Sequence, residues 1–201
     1  MKTKDKLLLA AEQRFLQKGY TATTVDEICS SAGATKGAFF HHFPSKEALA
    51  LTVAEGHGQR RFALLTDAPQ LQTDDSVARV YAFIDHVTET MMSAEEPASL
   101  ISALTLEMAG VNEKFKAVCS ESFDRLVAYT STIFNEAMVA RRVTLGPSAQ
   151  VLAEQFVATL QGSLVLARAK GDRAVIRASL QQFRDYVERL MAQPVPAVQV
   201  A

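Results

Sequence analysis

Ile176, Leu180, Phe183, Val187 and Leu190 stand four, three, four and three residues apart, the spacing of one face of an α-helix. The same period runs back through the chain. Gly146-Pro147-Ser148 opens a helix through Leu152, Phe156, Leu160 and Leu164 to Lys170, and Gly171-Asp172 closes it. Phe115, Cys119, Phe123, Leu126, Thr130, Ile133, Phe134 and Met138 mark a long helix, about Asn112–Arg142. Leu100, Ile101, Leu104 and Met108 give a short one ending near Gly110. Val77, Val80, Tyr81, Ile84, Val87 and Met91 give another, ended by Glu95-Glu96-Pro97. No stretch alternates as a strand would, so the pattern predicts an all-α chain of about nine helices.

The N-terminal part is built from shorter pieces. Leu7, Leu8, Ala11 and Phe15 face one way on a first helix that stops at Gly19. Thr24 and Glu27 have the capping-box spacing, which starts a helix Val25–Ala32 with Val25, Ile28, Cys29 and Ala32 inward. Gly33 suits the left-handed position that ends it. Thr35–Phe43 then reads as a second short helix. Phe39 and Phe43, four apart, share an anchoring face, while Lys36, Phe40 and His41 fall elsewhere on the cylinder. Two helices joined by a short glycine-containing turn make a helix-turn-helix, whose second member enters the DNA major groove. Pro44-Ser45 restarts the chain into a fourth helix, to about Leu65, with Leu49, Val53 and Phe62 inward. Gly56 and Gly58 inside it cost roughly 1 kcal/mol each relative to Ala. Close packing against a neighbour explains them, and so does a pivot. Asp67–Asp75 reads as a loop between two regions.

Gly19-Tyr20, Thr23-Thr24-Val25, Ile28, Ala32-Gly33-Ala34-Thr35-Lys36-Gly37 and the run Phe39 to Leu49 resemble, in order, the DNA-binding domain of the TetR family of transcriptional repressors. The resemblance runs without a gap over roughly residues 5–55. It implies a three-helix DNA-binding domain at 1–55, a helical ligand-binding and dimerisation domain at 56–192 and a flexible tail at 193–201. It places Thr24, Thr35, Lys36, Gly37 and Ala38 toward phosphates and base edges, with His41 and His42 as donors and Lys46 near a phosphate. Phe40 stands where relatives commonly carry a tyrosine whose hydroxyl meets a phosphate, which leaves it apolar contact, as with a thymine methyl. Arg14 and Leu9 depart from the family pattern, which predicts a slightly rotated first helix or a thinner core. The last two helices are expected to form a four-helix bundle with a second copy, through Leu160, Leu164, Ile176, Leu180, Phe183 and Val187. Residues 161–172 resemble, more weakly, the closing segment of some members' regulatory domains.

Composition agrees with these expectations. The formal net charge is −1, so a DNA-binding surface needs its positive charge gathered. Lys2, Lys4, Lys6, Arg14, Lys18, Lys36, Lys46 and Arg60 all lie in the first sixty residues. Cys29 and Cys119 have no metal-ligand or disulfide spacing, and with no apolar leader the chain is expected in the cytoplasm. Gln155–Ala167 is the longest uncharged apolar run, short of the about 20 residues a membrane span needs. Phosphate-loop, nucleophile-elbow and paired Cys or His motifs are missing, so neither an enzyme nor a cofactor is expected.

The middle helices offer Phe62, His86, Met91, Leu104, Glu107, Met108, Phe123, Tyr129 and Phe156 to a small-molecule effector. A Phe and Met stripe serves equally as core, whereas His86 and Glu107 each interrupt an apolar face. The expected function is a homodimeric repressor released from a palindromic operator by that effector. A thiol-based regulator using Cys119 or Cys29 is the alternative.

Overall fold

The computed structural model describes residues 1–93 and 99–192. The expected tail from residue 193 and the helix end at Glu95-Glu96-Pro97 lie outside the described residues. Within them the chain forms nine α-helices: α1 Thr3–Lys18, α2 Val25–Ala32, α3 Lys36–His42, α4 Lys46–Thr66, α5 Ser76–Ser93, α6 Leu100–Met108, α7 Glu113–Ala140, α8 Ala149–Lys170 and α9 Ala174–Met191. Side-chain oxygens set several starts. Ser99 accepts from the Ser102 amide at α6, and Ser148 from the Val151 amide at α8. The loop after α4 contains a 3-10 turn, Pro69–Leu71, with proline at its first position. Among the described residues no helix is long and apolar enough to cross a membrane.

The chain divides into two compact units, and the division does not follow chain order at residue 55. It falls inside α4, between Phe62 and Ala63, and again inside α7, between Phe123 and Asp124. Residues 1–62 and 99–123 form the first unit, so α6 belongs with the helix-turn-helix. Its core gathers Leu7, Ala11 and Phe15 of α1, Ile28 of α2, Phe39 of α3, Leu49 of α4, Leu100 and Leu104 of α6 and Phe115 of α7, all buried. Each of these leucine, isoleucine and phenylalanine side chains stabilises by about 1.5–3 kcal/mol relative to exposure. Arg14 stays out of this core, and its Nε donates to Ser31 Oγ at 2.9 Å across the outside of α1 and α2. Leu9 is simply left exposed.

The second unit, residues 63–93 and 124–192, is organised around rings. Phe156 lies 5.3 Å from Phe83, 5.4 Å from Phe183 and 6.4 Å from Phe134, centroid to centroid. α9 packs on α8 and α5, and Arg177–Glu89 (2.7 Å) and Arg184–Asp85 (3.0 Å) lace its outer edge to α5. This packing changes the expected dimer surface. Leu160, Leu164, Ile176, Leu180, Phe183 and Val187 are at most 4% exposed within their own chain. Their regular seam is what α8 and α9 use to pack at home, which leaves little of them to meet a partner. The apolar residues that α8 leaves outside are Val151, Val165 and Leu166, on the other face, with exposed Ala158 and Gly162 between them.

Candidate nucleic-acid interface

The helix-turn-helix closes on itself through backbone caps. Thr24 Oγ1 accepts from the Glu27 amide, and the Glu27 carboxylate accepts from the Thr24 amide at 2.8 Å. Lys18 also donates to Glu27. That bond, followed by those from Thr24, holds the Glu27 carboxyl down to about 2. At the other end of α2, Gly33 sits at φ 60°, ψ 38°, and the Ala34 amide returns to the Cys29 carbonyl at 2.9 Å. Thr35 then caps α3 by accepting from the Ala38 amide at 3.1 Å.

α3 divides as its spacing predicts. Phe39 and Phe43 are buried, with ring centroids 6.1 Å apart, and fix the helix to the core. Thr35, Lys36, Gly37, Phe40 and His41 are exposed, and Ala38 and His42 half-buried. Phe40, 55% exposed, stands edge-on against Phe39, a large apolar group held in water by a buried one. Lys36 pairs with Asp26 at 2.8 Å, and Asp26 raises its pKa first through that hydrogen bond, then through its charge. Both groups are well exposed, so the pair contributes little stability and Lys36 can turn to a phosphate at low cost. Nothing in the sequence around Asp26 points to this pairing, which the turn between α2 and α3 brings about.

Lys46 is engaged inside the protein. Its Nζ donates to the Tyr20 and Thr23 carbonyls, both at 2.9 Å, and lies 4.2 Å above the Tyr20 ring. Burial lowers its pKa. The phosphate contact expected of it is therefore left to at most one remaining N–H.

The residues expected to meet an effector divide between the units. In the first, Leu104 is core, Met108 and Phe123 pack on that core, Phe62 is half-buried, and Glu107 accepts from the Tyr20 and Thr21 amides at 3.1 and 2.8 Å. In the second, Met91 and Phe156 are fully buried. His86 bonds the Leu64 carbonyl through Nε2 (2.9 Å) and the Gln70 side-chain amide through Nδ1 (2.8 Å). A carbonyl can only accept, so Nε2 donates, and with Gln70 on Nδ1 the ring joins the end of α4 to the 3-10 turn. Tyr129 lines a cleft of about 660 Å³ between that turn, α5 and α7, with Leu71, Ala128 and Ile133 as apolar wall and Arg79, Glu136 and Thr73 as polar rim. Arg79 spans the rim, donating to Glu136 at 2.8 Å and to the Thr73 carbonyl. Among the described residues no cluster of three or more His, Cys, Asp or Glu could hold a metal ion.

Comparison with known proteins joins these features to a family. Residues 7–53 match the family model described as bacterial regulatory proteins, tetR family. Residues 76–182 match the transcriptional regulator LmrA/YxaF-like C-terminal domain. The chain is 28% identical over 166 residues to the transcriptional regulator AcuR of Cereibacter sphaeroides, covering 81% of this chain and 74% of that protein. It is 23% identical over 192 residues to an uncharacterised HTH-type transcriptional regulator of Lactococcus lactis, covering 94% of each. A TetR-family regulator structure from Agrobacterium tumefaciens superposes with a TM-score of 0.81 at 23% identity, over 92% of this chain and 96% of that one. Two family models that together take in both the capped helix-turn-helix and the helices behind it leave one assignment: the chain belongs to the TetR family of helix-turn-helix transcriptional regulators.

Proposed function

We propose that the protein is a repressor that binds a palindromic operator as a homodimer and leaves it when a small molecule binds. Family membership implies DNA-binding regulation, homodimerisation and a ligand-sensing domain rather than catalysis. The observation that carries the finer reading is the division of α3. Phe39 and Phe43 immobilise it, and Lys36, Gly37, Phe40 and His41 are exposed to solvent on its other side. The exposed α8 face of Val151, Ala158, Gly162, Val165 and Leu166 supports a second copy as partner, and a two-fold pair of α3 helices requires two matching half-sites. For the effector, the cleft beside Tyr129 falls within the 300–1,000 Å³ typical of small-molecule sites.

The thiol alternative is disfavoured. Cys29 and Cys119 are both buried, and burial pushes both thiols up, away from the reactive thiolate. Repeated selection of duplexes from a random-sequence pool tests the DNA reading: a two-fold symmetric sequence should emerge. Retention of all duplexes alike would end it. Peroxide should leave the selected complex intact; release abolished by Cys119→Ser would favour the thiol alternative instead.

A further inference from the structure

A turn between two helices has backbone groups with no helical partner, and something must satisfy them. In the turn from Gly19 to Thr23 two side chains from distant helices do so. Glu107 of α6 takes the Tyr20 amide on Oε1 (3.1 Å) and the Thr21 amide on Oε2 (2.8 Å). Lys46, the first residue of α4, donates to the Tyr20 and Thr23 carbonyls, both at 2.9 Å. The Tyr20 ring is meanwhile wedged between Phe15 (5.6 Å) and Phe115 (5.1 Å). Gly19 completes the fit. At φ +87° it has a conformation side chains rarely adopt, and a Cβ there would come within 2.4 Å of Glu107 Oε1. The carboxylate occupies the room a side chain would need.

The next residue is Thr24, the N-cap of α2, so the turn determines where α2 begins. α2 in turn packs against α3. Glu107 acts from a firm base, since Leu100, Ile101 and Leu104 of the same helix are buried in the core that holds Phe15 and Phe39. We infer that Glu107 is a positioning residue for DNA binding: its carboxylate holds the α1–α2 turn, and through it the pose of α2 and α3 against the operator. This rests on the DNA-binding reading above. It also reassigns Glu107 from the effector, because both of its oxygens already accept from the turn.

The test combines operator affinity with amide hydrogen exchange in the full-length protein. The probe is the duplex that the wild type selects from a random pool. Failure to select one defeats the DNA-binding reading before any variant is made. Charge-assisted hydrogen bonds are individually strong, so Glu107→Ala should weaken operator binding roughly tenfold or more. The slope of log affinity against log salt should not change, since no phosphate contact is lost. Glu113→Gln is the control, an exposed carboxylate at the start of α7: it removes the same charge and should not weaken binding. The Tyr20 and Thr21 amides should exchange faster in Glu107→Ala, while those of Ile28 and Phe39 stay protected. If Ile28 and Phe39 lose protection too, Glu107→Gln, which keeps one acceptor oxygen, is judged by the same criteria. Unchanged exchange at Tyr20 and Thr21 overturns the clamp. Faster exchange with unchanged operator affinity overturns its role in positioning.

Discussion

Gly58 lies against Ser122: a Cβ at position 58 would come within 2.6 Å of the Ser122 hydroxyl and 3.5 Å of its Cβ. That hydroxyl donates to the Val118 carbonyl at 3.1 Å and cannot turn aside without losing the bond. α4 is meanwhile continuous from Lys46 to Thr66. Close packing accounts for Gly58, and nothing in the helix requires a pivot. Gly56 differs, since a Cβ there would meet only the flexible Arg60 guanidinium, at 3.1 Å. Gly56→Ala should therefore stabilise, by up to about 1 kcal/mol in a urea titration. Gly58→Ala should lose that gain, and Gly58→Ala/Ser122→Ala should recover it. Equal gains in both single variants would contradict the close approach.

Lys46 gives a second prediction, in which salt dependence separates two roles. As a clamp on the Tyr20 and Thr23 carbonyls, its loss in Lys46→Ala should weaken the operator complex and leave the salt slope alone. Were it a phosphate ligand, the slope would fall by about one unit. Fluorescence anisotropy across a salt series decides between them.

The α8 surface offers a test by neighbouring positions. Leu166 is 48% exposed and Leu164 only 4%. Leu166→Glu should give a folded monomer in sedimentation at micromolar concentration, with its helical circular dichroism intact. Leu164→Glu places a charge in the chain's own core and should cost several kcal/mol, leaving unfolded or insoluble protein. A dimeric Leu166→Glu protein would move the interface away from this face.

Acid sensitivity should follow Glu27. Its carboxyl is depressed from an ordinary 4.5 to about 2, chiefly by the hydrogen bond from Lys18, then by those from Thr24. A pKa lowered by folding means stability fully present above the ordinary value and lost as pH falls through the folded one. The difference in urea midpoint between wild type and Glu27→Gln should be largest near neutrality and close between pH 4.5 and about 2. A difference independent of pH would rule out the ionised carboxylate as its source.

Most of the helix plan was legible because it is local. The Thr24 and Glu27 box, Gly33 after α2 and Ser148 before α8 each define an end from a few neighbouring residues. The anchoring role of Phe39 and Phe43 was also readable, since four-residue spacing puts two side chains on one face of any helix. Pairings between distant residues were not. Glu107 looked like a ligand contact because it interrupts an apolar face, and nothing near it in sequence points to the amides of Tyr20 and Thr21. The seam from Ile176 to Leu190 shows that α9 is amphipathic but not whose surface covers it. Here the chain's own helices do, and the partner surface proposed above is therefore the opposite side of α8.

The grouping of residues 99–123 with 1–62 bears on how such regulators can be recombined. A graft cut at residue 55 would carry Phe15, Ile28 and Phe39 to a new host without Leu100, Leu104, Phe115 or the Glu107 carboxylate. The host's own α6 and early α7 would have to match that cavity and supply the acceptor for the turn. Interchange of specificity in this architecture is thus a two-segment operation, and chimeras that respect it should outperform those that treat the DNA-reading head as a detachable module.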